Sequence, residues 1–302
     1  MAYHNTLNEL PFSSLSDYAL INLLASSKKK ILEILSEMEI SQFLRSRLNP
    51  TEYQTLEDCN CQYYDIDQYN QIPFNHSFGL SLYHQNIRSL SKNYGQLVAF
   101  LLSIDHDFDI IMLTEIGKYN ISVMGHILKS VFPDHNFYYR TPPTNPRGGV
   151  AVLVKSIIGS KYLEIRPELD LMMECNCDKC QVESLFIDIN MDERYTIGCI
   201  YRHPNGNCQH FSNALKHSIN KIKHKGPIIL SGDINIDLIK NSNKQVKDYI
   251  ETLGELQLIP LTTIPTRITD ETATCIDHFY VKPSKKICSK SMKTGALFFR
   301  RQ

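Results

Sequence analysis

The feature that most constrains this chain is a series of short apolar runs, each about one strand long, that begins near residue 78. The runs are Leu80–Gln85, Asp109–Leu113, Phe137–Tyr139, Gly149–Val154, Ser184–Ile189, Thr196–Tyr201, Pro227–Leu230 and Ile276–Val281. Amphipathic segments with helical spacing lie between some of them, at Ser91–Ser103, Ser122–Val131, Gln209–His224 and Lys244–Leu256. Because strands and helices are interspersed without strict alternation, the sequence predicts a layered α/β fold with mixed sheets.

Composition narrows the class of protein. The 32 basic residues balance the 32 acidic ones, and 42% of the 302 residues are hydrophobic, which is enough for a sizeable core. A neutral chain is a poor candidate for purely electrostatic nucleic-acid binding. No apolar run approaches the roughly 18 residues that a membrane helix needs, and no secretory signal is visible. We therefore expect an intracellular protein, nuclear or cytoplasmic, with no membrane partner.

The first 75 residues differ in texture from the rest. Apolar residues recur at helical spacing between Leu20 and Leu44, and Pro50 ends the predicted helix because the residue before proline avoids the helical region. A polar, tyrosine-rich connector follows. The predicted organisation is a helical leader and linker (1–75), a catalytic-type domain (76–282) and a divergent C-terminal tail (283–302).

Nine cysteines are an odd number, and free thiols are the default interpretation in the absence of an export signal. Cys175, Cys177 and Cys180 could hold zinc if Cys59, Cys61 or a histidine supplied a fourth ligand. Structural zinc sites usually have two separated ligand pairs, and a second such pair is missing. A surface loop is the simpler interpretation, and the zinc site stays an alternative.

A Gly-Asp-Ile-Asn-Ile-Asp segment follows the seventh apolar run directly. In an extended chain Asp233, Asn235 and Asp237 share one face. A carboxylate beside a carboxamide at the end of a strand can orient a water molecule and donate a hydrogen bond to a phosphate. A calcium loop is excluded because Leu238 replaces the required glycine and Lys244 replaces the bidentate glutamate.

Three more polar residues lie in or just after predicted strands. Glu115 follows a buried-type strand, where a carboxylate is usually paired, metal-bound or exposed. Asn86 ends the first strand and would otherwise be a turn residue. Asp277 lies inside a strand-like run and needs a partner there.

Taken in order, these segments resemble the endonuclease/exonuclease/phosphatase (DNase I-like) superfamily. More narrowly, they are similar to the apurinic-type endonuclease domain of non-LTR (LINE-type) retrotransposons. The segments that carry the resemblance are Gln85–Leu90, Asp109–Glu115, Arg147–Ala151, Tyr201–Asn205 and Gly232–Asn235, within a match over about residues 78–282.

The resemblance implies a four-layer sandwich of two packed mixed β-sheets flanked by helices. It also implies divalent-metal-dependent hydrolysis of a phosphodiester in DNA, with Mg²⁺ or Mn²⁺ and no small-molecule cofactor. Glu115 would bind the metal, helped by Asn86. Magnesium suits such a site because it prefers few protein carboxylates plus water and phosphate oxygens.

The remaining site residues are assigned in the same way. Asp233 would activate or orient the attacking water, Asn235 would bind the phosphate, and Tyr201 would contact the phosphate or support Asp233. Asp277 would orient a histidine that stabilises the charge of the transition state. The rate acceleration would come from positioning of the reacting groups and from electrostatic stabilisation of the transition state.

The sequence departs from the family at its end. The family's final Ser-Asp-His strand does not occur after Val281, and His278 is a poor substitute because adjacent strand residues face opposite ways. We therefore expect a truncated domain with a missing C-terminal strand, an open sheet edge and impaired activity. The reverse transcriptase of a parent element is also absent. The alternatives are an inactive remnant that at most binds nucleic acid, or a phosphatase or phospholipase of the same fold.

Overall fold

The computed structural model describes residues 61–72, 80–142, 147–158, 163–172, 181–191, 193–240, 242–269, 271–284 and 295–297. The predicted leader helix and the cluster of Cys175, Cys177 and Cys180 lie outside the described residues.

Fourteen strands are assigned within the described part of the chain. They are β1 (Gln62–Tyr64), β2 (Leu82–Asn86), β3 (Ile110–Thr114), β4 (His135–Arg140), β5 (Val150–Lys155), β6 (Leu163–Ile165), β7 (Val182–Asn190), β8 (Arg194–Arg202), β9 (Ile228–Asp233), β10 (Ile259–Pro260), β11 (Arg267–Ile268), β12 (Ala273–Thr274), β13 (Asp277–Lys282) and β14 (Gly295–Leu297). The α-helices are α1 (Ile66–Asn70), α2 (Leu90–Ser103), α3 (Ile121–Val131), α4 (Cys208–Lys221) and α5 (Lys244–Glu255). A 3₁₀ turn covers Pro167–Leu169.

Two mixed sheets form the centre of the molecule. The first sheet has the order β2-β3-β5-β4, and the second has the order β10-β13-β9-β8-β7-β6. Strands β2 and β3 are parallel, as are β8 and β9, and the other neighbours in these two sheets are antiparallel. The remaining strands form two small pairs, β11 with β12 and β1 with β14.

The hydrophobic residues divide into three layers of core. One cluster, which includes Met112 and Ile197, fills the space between the two sheets. A second packs α2 and α3 on the outside of the first sheet, and a third packs α4 and α5 on the outside of the second. Strand β5 reads Val-Ala-Val-Leu-Val because both of its faces are buried, as in a central strand. The predicted four-layer α/β sandwich is confirmed.

The predicted elements match the observed ones closely. All eight predicted strands and all four predicted helices are present, with bounds that differ by up to three residues. Strands β7 and β8 are each nine residues long and exceed their predicted cores. Six strands of two or three residues, β1, β6, β10, β11, β12 and β14, were not predicted because such short segments carry too little periodicity to indicate a strand.

The outer side of β2 is an edge of the first sheet within the described residues. The only described segment beyond Ser284 is β14, which pairs with β1 rather than with β2. No helix in the described ranges is long and apolar enough to cross a membrane.

Candidate active site

The predicted site residues come from strands of both sheets. In the first sheet, Asn86 at the end of β2 pairs with Thr114 at the end of β3, so that Glu115 follows next to it. In the second sheet, Asp233 at the end of β9 lies between Tyr201 of β8 and Asp277 of β13. Because β2 and β3 pack against β9, these ends meet at one edge of the sandwich.

A single side-chain amide joins the two sheets at this edge. Nδ2 of Asn86 donates to Oε1 of Glu115 at 2.8 Å and to Oδ2 of Asp233 at 2.6 Å. Oδ1 of Asn86 accepts from the backbone N–H of Arg88 at 3.1 Å. The backbone contact fixes the orientation of the amide, since turning it over would place N–H against N–H. Asn86 therefore holds two carboxylates as a donor.

Glu115 has a left-handed backbone conformation, with φ of +53°. Such a conformation is costly for a residue with a side chain, so the surrounding structure must impose it. The next two N–H groups, those of Ile116 and Gly117, donate to the carbonyls of Gly149 and Gly148 at 3.4 and 2.8 Å. These bonds hold the turn that projects the Glu115 carboxylate into the site.

A buried glutamate–histidine pair supports this glycine turn. Glu183 accepts from the N–H of Gly149 at 3.3 Å, and its carboxylate lies 3.0 Å from Nε2 of His203. Gly148 has φ of +111°, and a Cβ there would lie only 2.8 Å from the Glu183 carboxylate. The turn thus needs glycine both for its backbone conformation and for the space it leaves.

Tyr201 lies between this pair and the acidic residues. Its hydroxyl lies within electrostatic reach of Glu115 and Asp233, and its ring packs edge-on against His203 with centroids 4.8 Å apart. Burial, together with the negative charge of Glu115 and Asp233, raises the pKa of Tyr201. The phenol therefore stays neutral and acts as a hydrogen-bond donor.

Asp233 and Asp277 face each other on neighbouring antiparallel strands. Burial raises the pKa of Asp233, and the charge of Asp277 raises it further, while the hydrogen bond from Asn86 acts in the opposite direction. Burial also raises the pKa of Asp277, and a hydrogen bond from Thr266 partly offsets that effect. Without a cation, this pair resists carrying two full charges.

The loop after Asp233 is fixed by Arg202. This guanidinium is buried and donates to the carbonyls of Ile234, Asn235 and Gly206. The contact is reciprocal, because Nδ2 of Asn235 donates to the carbonyl of Arg202 at 2.8 Å. Asn235 has φ of +52°, so Arg202 stabilises a conformation that asparagine tolerates better than most residues.

Asp277 is less completely paired. Its backbone N–H donates to Oγ1 of Thr266 at 3.1 Å, but its Oδ1 is buried and has no hydrogen-bond partner among the described residues. The adjacent His278 faces the other way, where its ring contacts the carbonyl of Cys275 at 2.9 Å and the hydroxyl of Tyr280. His278 is therefore not in position to act with Asp277.

The structure brings all six predicted site residues together, although their chemical roles stay predictions. Sequence reasoning gave no role to four residues that position them: Arg202, Glu183, His203 and Thr266. One signal was available for Glu183, which is the second residue of β7 and lies directly opposite Tyr201. Arg202 and Thr266 act through backbone groups of distant loops, and His203 acts through Glu183, which is 20 residues away, so no local pattern reveals them.

The predicted metal site has a limited set of protein donors. The described ranges contain no cluster of three or more His, Cys, Asp or Glu side chains arranged to hold an ion. Glu115 presents a carboxylate, which suits an ion that keeps most of its ligands as water and substrate oxygens. Asn86 presents its nitrogen rather than its oxygen to the carboxylates, so the predicted role of Asn86 as a ligand requires its amide to turn.

Comparisons with known proteins place the fold. The sequence matches none of the protein-family profiles and none of the curated proteins with which it was compared. Among solved structures it is similar to an endonuclease/exonuclease/phosphatase family protein from Leptotrichia buccalis, with 15% identity, 73% of this chain and 92% of the other covered, and a TM-score of 0.50. It is also similar to a 3′ phosphatase from Neisseria bound to a product DNA hairpin, with 14% identity, 70% and 89% coverage and a TM-score of 0.50.

At these identities the likeness concerns the fold. The chain has the endonuclease/exonuclease/phosphatase (DNase I-like) fold, as the order of its motifs predicted.

Proposed function

We propose that this protein hydrolyses phosphodiester bonds in DNA, as a divalent-metal-dependent nicking endonuclease. One observation carries the proposal: Nδ2 of Asn86 bridges Glu115 and Asp233, so that acids from both sheets converge at one edge. Asp277 extends the acidic group from the neighbouring strand. A group of acidic side chains around a neutral phenol and two amides matches the needs of phosphoryl chemistry, in which positioning and charge stabilisation dominate.

Each residue has a task in this proposal. Asp233, whose pKa is raised, accepts the proton of the attacking water as a general base that works near neutral pH. Asn235 donates to a phosphate oxygen with the amide N–H that Arg202 does not hold. Tyr201 remains protonated and would donate a hydrogen bond to the Glu115 carboxylate, which would keep it in place. Attack forms the new phosphorus–oxygen bond and expels the sugar oxygen of the nicked strand.

Glu115 would hold a Mg²⁺ or Mn²⁺ ion, which when bound would neutralise charge on the scissile phosphate. Asn86 would keep the carboxylates of Glu115 and Asp233 apart and oriented. The carboxylate of Glu115 and the raised pKa of Asp233 both fit a site that receives a cation, because a buried acidic group of this kind is costly to leave uncompensated.

The proposal also includes the origin of the domain within the wider fold class. The Asn-Ile-Arg-Ser-Leu and Tyr-Arg-His-Pro-Asn segments support descent from the endonuclease of a non-LTR retrotransposon. The Neisseria protein of this fold, named as bound to a product DNA hairpin, supports a nucleic-acid substrate. Because Oδ1 of Asp277 meets no imidazole in the described residues, we expect a rate well below that of an endonuclease with a complete site.

The first test is nicking of a supercoiled plasmid with Mg²⁺ or Mn²⁺. We expect slow conversion to the open circle by the native chain, none with EDTA, and none by Glu115→Gln, which keeps the shape of the side chain and removes its charge. Glu251→Gln on α5 is the matched control and should nick like the native chain. Equal nicking by Glu115→Gln and by the native chain would refute the proposed site.

A second candidate function is nucleic-acid binding without turnover, which the Asp277 Oδ1 atom, buried without a partner among the described residues, favours. It predicts a salt-dependent affinity for DNA with no nicking under any metal. A third, removal of a terminal phosphate, is checked by incubating a 3′-phosphorylated DNA hairpin and measuring released phosphate. Release of phosphate without plasmid nicking would replace the endonuclease proposal with a phosphatase.

A further inference from the structure

Residues 61–72, here called the strap, lie outside the predicted catalytic domain but pack against it. Strand β1 of the strap reaches the loop after β10, where the hydroxyl of Tyr63 donates to the carbonyl of Pro265 at 2.7 Å. Strand β1 also pairs in parallel with β14. One end of the strap therefore contacts a loop of the second sheet.

The other end is attached to the layer of helices on the first sheet. The amide of Asn70 donates to the carbonyl of Ser103 at 3.2 Å and accepts from the N–H of Asp105 at 2.8 Å. Ser103 ends α2, so Asn70 satisfies one of the carbonyls that a helix leaves without an internal partner. The ring of Tyr69 packs near Phe108 with centroids 6.3 Å apart, and both belong to the same hydrophobic cluster.

The turn between these two attachments is rigid for its length. Asp65 and Gln68 form a reciprocal capping box: the N–H of Gln68 donates to Asp65 at 2.7 Å, and the N–H of Asp65 donates to Gln68 at 3.1 Å. The ring of Tyr69 also packs edge-on against Tyr64. A short stiff segment fixed at both ends transmits position between them better than a flexible one.

The loop that the strap touches is also the loop that holds Asp277. Thr266 follows Pro265 directly, and its Oγ1 accepts from the N–H groups of Ile276 and Asp277 at 3.2 and 3.1 Å. Tyr63, Pro265, Thr266 and Asp277 thus form one connected series of contacts.

We propose that the strap is a positioning element of the active site, in which Tyr63 holds the Pro265–Thr266 loop so that Thr266 fixes Asp277. The strap ties this loop of the second sheet to the helix layer of the first, at the C-terminal end of α2. Its effect on catalysis rests on the proposed nuclease function, whereas its effect on the position of Asp277 does not. A chain that begins at residue 76, the predicted domain boundary, would lack this element.

The test uses the full chain and two substitutions that each remove one hydroxyl. Tyr63→Phe removes the bond to Pro265, and Tyr139→Phe on β4, at the opposite edge of the first sheet, is the matched control. Amide hydrogen exchange of Ile276 and Asp277 is the primary measurement. We expect about fivefold faster exchange of these two amides in Tyr63→Phe, the factor that one lost hydrogen bond supplies, and no change in the control. Equal exchange in both variants would overturn the proposal.

A double-mutant cycle with Thr266→Val shows whether the effect passes through Thr266. If it does, Tyr63→Phe changes the kcat for nicking severalfold, with KM unchanged, when Thr266 is present. The same substitution changes kcat little when Thr266 has already been replaced by Val. Additive effects in the cycle would rule out that route. If the native chain does not nick DNA at all, the proposed function fails, while the exchange comparison still decides whether the strap holds the loop.

Discussion

The two sides of the acidic site differ in how completely they are supported. Asp233 is held by several contacts: Asn86 donates to its carboxylate, and Arg202 fixes the loop that follows it. The side of Asp277 rests on Thr266, and one of its carboxylate oxygens is buried without a partner among the described residues. The difference shows that Asp233 is held by more contacts than Asp277, so in the proposed reaction we expect the two acids to contribute unequally.

Asp233→Asn should have the largest effect, because it removes the proposed general base on the well-supported side. Nicking should fall about a hundred- to a thousandfold, as when a key catalytic group is lost. The same variant should be more stable without metal. The pKa of Asp233 in the folded state is raised above its value in the unfolded state. The stability that comes from protonated Asp233 is therefore fully present below about pH 4 and is lost as the pH rises.

The stability gain of Asp233→Asn is therefore expected to grow with pH, reaching about 2 kcal/mol at pH 8 in EDTA. Urea unfolding at pH 4.5 and pH 8 measures it, with Asp134→Asn as an exposed control. A loss of stability at pH 8 would show that Asp233 is paired more favourably than its burial indicates.

Arg202→Gln should have the next largest effect, on stability. It leaves several buried carbonyls without donors, and a change of this kind costs about 3 kcal/mol. Lys216→Gln is the control, because Lys216 forms only a surface pair with Glu255 and should change stability by less than about 0.5 kcal/mol. If Arg202→Gln and the native chain unfold at the same urea concentration, the support of Asp233 does not depend on this guanidinium.

Glu183→Gln should have an intermediate effect on nicking, about tenfold. The carboxylate acts at a distance, through the glycine turn that holds Glu115. Because the predicted metal ligand would be displaced rather than removed, a higher Mg²⁺ concentration should restore part of the rate. Glu193→Gln, on the far end of β7 and β8, is the control. A loss that no metal concentration relieves would point to a direct role for Glu183.

The fold followed from the sequence because strand and helix periodicity is local. Asn86, Glu115 and Asp233 were found as polar residues at strand ends, and their convergence followed from the resemblance. What sequence could not supply is the second layer of contacts, such as Arg202 with the carbonyl of Ile234 or Tyr63 with Pro265, which are 32 and 202 residues apart. These are contacts of side chains with backbone carbonyls, which impose no pattern on the residue that receives them.

Asp277→Asn should have the smallest effect and decides whether the comparison holds. If Asp277 has no imidazole to orient, replacing it with an isosteric amide should lower nicking only severalfold, far less than Asp233→Asn. Thr266 still accepts from the backbone N–H at 277, so the strand should keep its position. Parallel single-turnover nicking by the two variants measures the ratio. A loss as large as that of Asp233→Asn would mean that Asp277 has a partner in the working enzyme, and that both sides of the site are equally used.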